Sequence, residues 1–203
     1  MERSKIIQNN INTFKKLPSV GPKTAERFVY YLLKNRNILE EFIENLVSLK
    51  KNIKKCRYCN DFSDIDPCEI CSNKTRDTKL LCVVEKHQDL YAIENSGYKG
   101  LYYVLSEIVS PLEGKMLKQV DLEGLLNRIK NVTEDMKPSE IILATSLTTE
   151  GELTANYIVD FLKSTNANIK ISRIARGLPT GAEIEYADLQ TLSFALTNRI
   201  KIL

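Results

Sequence analysis

Two Cys-x-x-Cys pairs, Cys56/Cys59 and Cys68/Cys71, constrain this 203-residue chain more than any other feature. The stretch between them, residues 60–67, is polar and has no apolar run, so burial alone could not fold it. Two thiolate pairs at this spacing can close a tetrahedral four-sulfur shell around one zinc ion. The metal would supply the missing folding energy. The alternatives are two disulfides or four free thiols. The first residues, Met1-Glu2-Arg3-Ser4-Lys5, lead straight into a mixed polar helical pattern and do not read as a signal peptide. A reducing compartment is therefore expected, and disulfides do not suit it. Four thiolates leave no coordination position open to water, so the expectation is one structural zinc per chain, not a catalytic one.

The chain is 43% hydrophobic and 27% charged, the balance of an ordinary soluble globular protein. Its longest apolar runs, such as residues 80–84, are too short to span a bilayer, so no membrane association is expected. Cys82 lies inside that run and reads as a small buried hydrophobe. The net charge of +3 is unevenly spread. Residues 1–55 hold twelve Lys/Arg against five Asp/Glu, while residues 56–203 hold seventeen against twenty-one. An N-terminal excess of this kind fits a polyanionic partner, or else a solvated helix surface.

Helical spacing links Ile7, Ile11 and Phe14, then Ala25, Phe28, Val29, Leu32 and Leu33, then Leu39, Phe42, Ile43, Leu46 and Leu49. Three amphipathic helices are thus expected before the cysteines. After them, short apolar runs at 80–84, 101–105, 141–144 and 169–174 alternate with helical stretches at 88–95, 122–129 and 155–162. Strands alternating with helices predict βαβ units and a mainly parallel sheet. The fold class is multidomain, α followed by α/β.

The first two helices are joined by Leu17-Pro18-Ser19-Val20-Gly21-Pro22-Lys23-Thr24-Ala25. Gly21 is expected to allow a tight turn, and Pro22 suits the first helical position because its missing amide hydrogen would go unpaired there. The second helix would then aim free amides outward, with Lys23 and Arg27 one turn apart beside them. Such a socket suits a phosphate oxygen. The stretch resembles the helix-hairpin-helix motif of DNA-repair proteins, with Ser19 where that motif usually has its first glycine, and the resemblance implies a grip on the DNA sugar-phosphate backbone that reads no bases.

Glu85 follows the first expected strand of the α/β region, at the end where open α/β sheets bind ligands. The run 141–145 leads into Ser146-Leu147-Thr148-Thr149-Glu150-Gly151-Glu152 and a helix. This region resembles the Toprim fold, whose catalytic members hold Mg2+ with a glutamate after one strand and Asp-x-Asp after a later one. Glu85 matches the glutamate, but Ser146 and Thr148 stand where the aspartates would be. Glu150 and Glu152 can join Glu85 in an acidic cleft that serves a partner or a weak ion site, though carboxylates at a helix start more often complement its dipole. A lone Glu85 supplies too few carboxylates for Mg2+, so phosphoryl-transfer catalysis is not expected.

A collinear set of fragments extends these likenesses over the whole chain. It includes the hairpin, the four cysteines, Ile70-Cys71-Ser72-Asn73, Cys82-Val83-Val84-Glu85 and Asp89-Leu90-Tyr91-Ala92-Ile93-Glu94. It continues through Ser110-Pro111-Leu112-Glu113-Gly114, residues 150–157, Arg173-Ile174-Ala175-Arg176-Gly177 and Thr191-Leu192-Ser193. In this order they resemble the bacterial recombination mediator family RecR. That resemblance implies a helix-hairpin-helix module at 1–54, a four-cysteine zinc finger at 55–78, a Toprim-like domain at 79–175 and a C-terminal segment at 176–203. It further implies a non-enzymatic, homotetrameric or dimer-of-dimers clamp on DNA in the bacterial cytoplasm, acting at the nucleoid. Such a clamp works with RecO and RecF to load recombinase at single-stranded gaps.

The chain departs from the family at Lys115-Met116-Leu117-Lys118-Gln119, at Ser146-Leu147 and at His87. His87, the sole histidine, is expected in an exposed loop. Two other classes compete with the clamp: a Toprim enzyme that nicks, primes or processes nucleic acid, and a zinc-organised protein-interaction module with no nucleic-acid role.

Overall fold

The computed structural model describes residues 4–109, 120–134, 137–165 and 169–201. The departure at 115–119 and the Ser110–Gly114 fragment lie outside the described residues. The chain divides into two compact units, 1–53 and 54–203.

The first unit holds the three expected helices, α1 (Lys5–Phe14), α2 (Pro22–Lys34) and α3 (Arg36–Asn52). Ile11, Ala25 and Val29 form its core, with Ile7, Phe14, Val20 and Leu33 packed around them. The joint between α1 and α2 differs from expectation in one respect. Gly21 sits at φ −79°, ψ 172° as the N-cap of α2, an extended conformation open to any residue. Ser19 is the residue in the left-handed region, at φ 64°. The tight turn thus falls two residues before the helix cap, where the motif usually carries its first glycine, and Ser19 bears the strain that glycine would avoid. In α3 no residue is buried, and Phe42, Ile43, Leu46, Val47 and Leu49 are exposed.

The second unit opens with a small antiparallel ribbon, β1 (Lys54–Lys55) and β2 (Phe62–Ser63), and a single helical turn, α4 (Glu69–Ser72). Then follow β3 (Asp77–Val84), α5 (His87–Asn95), β4 (Gly100–Val104), α6 (Leu122–Lys130), β5 (Glu140–Ala144), α7 (Thr149–Ser164) and β6 (Lys170–Arg173). The four long strands form one parallel sheet in the order β4-β3-β5-β6. A 3-10 turn (Ile184–Tyr186) and α8 (Leu189–Thr197) end the chain. Two expected boundaries move. β3 begins three residues before the apolar run, with a register irregularity between Asp77 and Leu81. α7 begins six residues before 155, because the Thr148 side chain accepts from the Gly151 amide and starts the helix over the polar Thr-Glu-Gly-Glu turn.

Alternation along the strands builds two cores. Leu81, Val83, Leu101, Tyr103, Ile141 and Leu143 face α6 and α7. Cys82, Val84, Tyr102, Val104 and Ala144 face the other way, together with Leu90 of α5 and all four paired cysteines. A parallel sheet needs both faces covered, and here the cysteine module does part of that covering. Among the described residues no helix is long and apolar enough to cross a membrane.

Candidate metal centre, hairpin and carboxylate cleft

The four expected ligands converge. The sulfurs of Cys56, Cys59, Cys68 and Cys71 all lie within 4.8 Å of one another, and all four residues are buried. A tetrahedral zinc site with bonds of about 2.3 Å separates its sulfurs by about 3.8 Å, so the cluster is the right size. The chain folds this way because Asn60, at φ 63°, turns the first pair back on itself, with its amide bonded to the Cys56 carbonyl at 2.9 Å. Cys68 then caps α4, which carries Cys71 one turn on. The Cys68 amide donates to Cys56 Sγ and the Cys71 amide to Cys68 Sγ, each at 3.4 Å, as suits sulfurs that carry charge. Sulfurs this close compete for protons. Hydrogen bonding, from Cys59 first, drives the Cys56 thiol down, whereas the bond from Cys56 drives Cys59 and Cys71 up. Only a cation lets all four ionise together, and a soft thiolate set of this shape selects zinc. Cys82 stays apart: burial alone pushes its thiol up to about 12, which makes it inert, as expected for a small core residue.

The module is fastened to the sheet by polar contacts that sequence reasoning did not find. The Val104 amide of edge strand β4 donates to the Cys59 carbonyl at 2.8 Å, and the Asn60 side-chain amide donates back to the Val104 carbonyl at 2.9 Å. These bonds pair the Val104 end of that edge with the module. His87 is not an exposed loop residue. It is the first residue of α5, its ring stacks on Phe62 with centroids 4.3 Å apart, and its Nδ1 donates to buried Asp61 at 2.7 Å. Tyr91 adds a weaker bond to the same carboxylate at 3.3 Å. The expectation failed because the partner lies 26 residues away in a different module, beyond any local pattern.

In the hairpin, Gly21, Lys23 and Arg27 are all exposed. Gly21 has no side chain to cap α2, and Pro22 takes the first helical position. The first-turn amides that follow are therefore left to a ligand or water. Lys23 and Arg27, four apart on one helix, stand on the same face beside them.

The carboxylates of the cleft are largely engaged by neighbours, while Arg173 Nε is buried with no hydrogen-bond partner among the described residues. Glu85 follows β3 as expected, yet it is only 2% exposed. Ser146 donates to both of its oxygens, from the amide to Oε1 and from the hydroxyl to Oε2, each at 2.8 Å. The residue that replaces the metal-binding aspartate thus ties up the glutamate. Gly151 is needed here, since a Cβ would lie 2.8 Å from Glu85 Oε1 and closer still to the Ser146 carbonyl. Glu152 is paired with Arg173 at 2.5 Å and with Arg176. Arg173 also donates to the Thr145 hydroxyl and the Ser146 carbonyl. Glu150 is half-buried in the first turn of α7. Among the described residues only the four paired cysteines bring three or more metal-capable groups together; Glu85, Glu150 and Glu152 do not.

Comparison with known proteins finds likenesses along the chain. Family profiles match in series: a RecR helix-hairpin-helix over residues 7–47, a RecR four-cysteine zinc finger domain over 53–73, a Toprim domain over 79–175 and a RecR C-terminal segment over 177–200. The chain is 43% identical over 199 residues to the recombination protein RecR of Amoebophilus asiaticus (strain 5a2), covering 97% of this chain and 96% of that one. It is 40% identical over 194 residues to the RecR of Lactococcus lactis subsp. cremoris (strain MG1363), covering 95% of each. The RecR of Desulfitobacterium hafniense (strain Y51) is 39% identical over 193 residues, 95% of this chain and 93% of that one. With a hairpin, a four-cysteine centre and a Toprim sheet in that order, and this identity over nearly its full length, the chain belongs to the RecR family of recombination proteins.

Proposed function

We propose that the protein is a non-enzymatic, sequence-independent DNA-binding mediator of recombinational repair in the bacterial cytoplasm. Acting as an oligomeric clamp with RecO and RecF, it helps load recombinase at single-stranded gaps. The carrying observation is the exposed pair Lys23 and Arg27 beside the uncapped start of α2, in a segment matched by a RecR helix-hairpin-helix profile. Free amides and two cations on one face suit successive phosphate oxygens and offer nothing that reads a base edge. Each chain holds one zinc ion through Cys56, Cys59, Cys68 and Cys71, which stiffens the second unit and takes no part in chemistry.

Two exposed apolar surfaces support self-association as a tetramer or dimer of dimers. One is the α3 face of Phe42, Ile43, Leu46, Val47 and Leu49; the other is the C-terminal segment with Ile184, Tyr186, Leu189, Leu196 and Ile200. Large apolar side chains grouped on one helix face, as on α3, mark an interaction surface more often than scattered single ones do. Several hairpins in one assembly would also raise the affinity of individually weak phosphate contacts.

Charge reversal tests the DNA contact. Lys23→Glu with Arg27→Glu is expected to weaken binding about equally for all sequences while leaving the fold intact. The milder Lys23→Ala or Arg27→Ala should each lower the slope of log affinity against log salt by about one. Unchanged affinity and slope in the folded double reversal would place the DNA surface elsewhere. A clamp should also be retained on circular DNA longer than on linear DNA of equal length.

The Toprim cleft is proposed to serve architecture, with no Mg2+ chemistry. Glu85→Ala removes the buried acceptor of both the Ser146 amide and the Ser146 hydroxyl, at a cost of about 1–3 kcal/mol. It should abolish no hydrolytic or polymerising activity, because there is none to abolish. Magnesium-dependent nicking or primer synthesis that disappears with Glu85→Ala would favour the enzyme reading instead.

A further inference from the structure

α6 turns Leu122, Leu125 and Ile129 inward, and Arg128 is buried among them at 4% exposure. Its guanidinium Nε and Nη1 are sealed from solvent and have no hydrogen-bond partner among the described residues. A guanidinium cannot lose its proton to escape burial, so an unbalanced one is costly. The ring of Tyr58, which sits between the first two cysteines, lies 5.7 Å from its centre and offsets part of that cost. The nearby carboxylate of Asp121 is engaged elsewhere, accepting from the Tyr103 hydroxyl at 2.7 Å and the Gly124 amide at 2.9 Å. Burial works against the charge on Arg128, and Cys56 and Tyr58 line the same cavity as Arg128, which places the cysteine module beside that charge.

We propose that Arg128 is the counter-cation of the zinc centre, and that through it metal binding is coupled to the packing of α6 on the sheet. The inference rests on the reading that the four cysteines hold zinc. Four thiolates around Zn2+ carry two net negative charges, here buried against one face of the sheet. Of the module's own cations, Lys54 and Lys55 are exposed, Lys55 lying over the Phe62 ring, and Arg57 is paired with Asp66 at 3.0 Å. Arg128 also borders a cavity of about 400 Å³ between the module and α6, but its unpaired nitrogens are closed off from solvent. Nε and Nη1 are thus withheld from any ligand in that cavity. Arg128 holds no metal itself; it is a positioning residue whose charge offsets the net negative charge of the filled site. Linkage makes the effect reciprocal. Zinc stabilises a buried cation under α6, and loss of zinc leaves that cation uncompensated.

The test is zinc affinity of the full-length protein by competition with a chromophoric chelator, for wild type, Arg128→Met and Arg128→Lys. Arg128→Met keeps much of the reach and removes the charge, and should bind zinc about 10- to 100-fold more weakly. Arg128→Lys keeps the charge and loses the planar fork, and should stay within about threefold of wild type. Hydrogen exchange gives a second readout: removing zinc should loosen the α6 amides in wild type and do so less in Arg128→Met. Wild-type affinity in Arg128→Met, or equal weakening in both variants, would assign Arg128 to packing and overturn the proposal. If Arg128→Met does not fold, Arg128→Lys against wild type decides, and a loss beyond about tenfold overturns it. Wild-type protein purified without zinc would instead overturn the reading on which the inference rests.

Discussion

Replacing any one of Cys56, Cys59, Cys68 or Cys71 by Ser is expected to release the metal and unfold residues 54–73. Structural zinc contributes on the order of 10 kcal/mol to small four-ligand modules, more than the whole stability of many domains. Nothing else in the segment replaces it. Its two strands are two residues each, its helix is a single turn, and Phe62 and Ile65 are exposed. Damage should spread further, because the four cysteines are packed with Cys82, Val84, Leu90, Tyr102 and Val104 in one core. Losing the module would uncover that face of the sheet and the β4 edge bonded to Cys59 and Asn60. The expected readouts are zinc content falling from about one per chain toward none, and aggregation seen by light scattering. Cys82→Ala is the control, since it removes a buried thiol that holds no metal and should keep full zinc content. Full zinc retention in a Cys68→Ser protein would remove that residue from the ligand set.

The sequence made regular, local features visible. Apolar runs of four to six residues located the parallel strands, and CxxC spacing located all four sulfurs, because both signals repeat over short distances. The Toprim departure at Ser146 was legible as a missing aspartate but not as a hydrogen-bond donor to Glu85. That role depends on two strand ends 61 residues apart meeting at one point. Gly21 drew attention as a glycine in a turn, while the strained position was Ser19, whose type gives no hint of a positive φ. Arg128 left a signal that was missed. It falls three residues after Leu125 on the apolar face of α6, where an arginine has no place unless something buried needs its charge. His87 and Asp61 left none, since neither stands in a periodic pattern.

Arg76→Leu is expected to destabilise the second unit by about 3 kcal/mol or more, close to the effect of breaking a buried ion pair. Arg76 immediately precedes β3, and its side chain is only 7% exposed. Its fork meets Glu94 of α5 with two parallel bonds of 2.8 and 2.7 Å. It also donates to the carbonyls of Gly100 at 2.9 Å and Tyr98 at 3.2 Å. The Tyr102 hydroxyl completes the cluster with a 2.9 Å bond to Glu94. One side chain thus ties the start of β3 to α5, to the loop after it and to the start of β4, so truncation strands acceptors on three elements. The pH dependence identifies the pair. Hydrogen bonds from Arg76 hold the Glu94 carboxyl below its ordinary value. A depressed carboxyl contributes stability that is fully present above its unfolded value of about 4.3 and is lost as pH falls through the lower folded value. Urea denaturation of wild type should therefore show a loss of stability below about pH 4.3 that Arg76→Leu largely lacks, having already lost it at pH 7. Glu94→Gln should cost less than Arg76→Leu, because a neutral amide can still accept from the fork. The double variant should be less destabilised than the sum of the two, since the residues share one network. Strict additivity, with an unchanged acid limb in Arg76→Leu, would show that the pair is not what joins β3, α5 and β4.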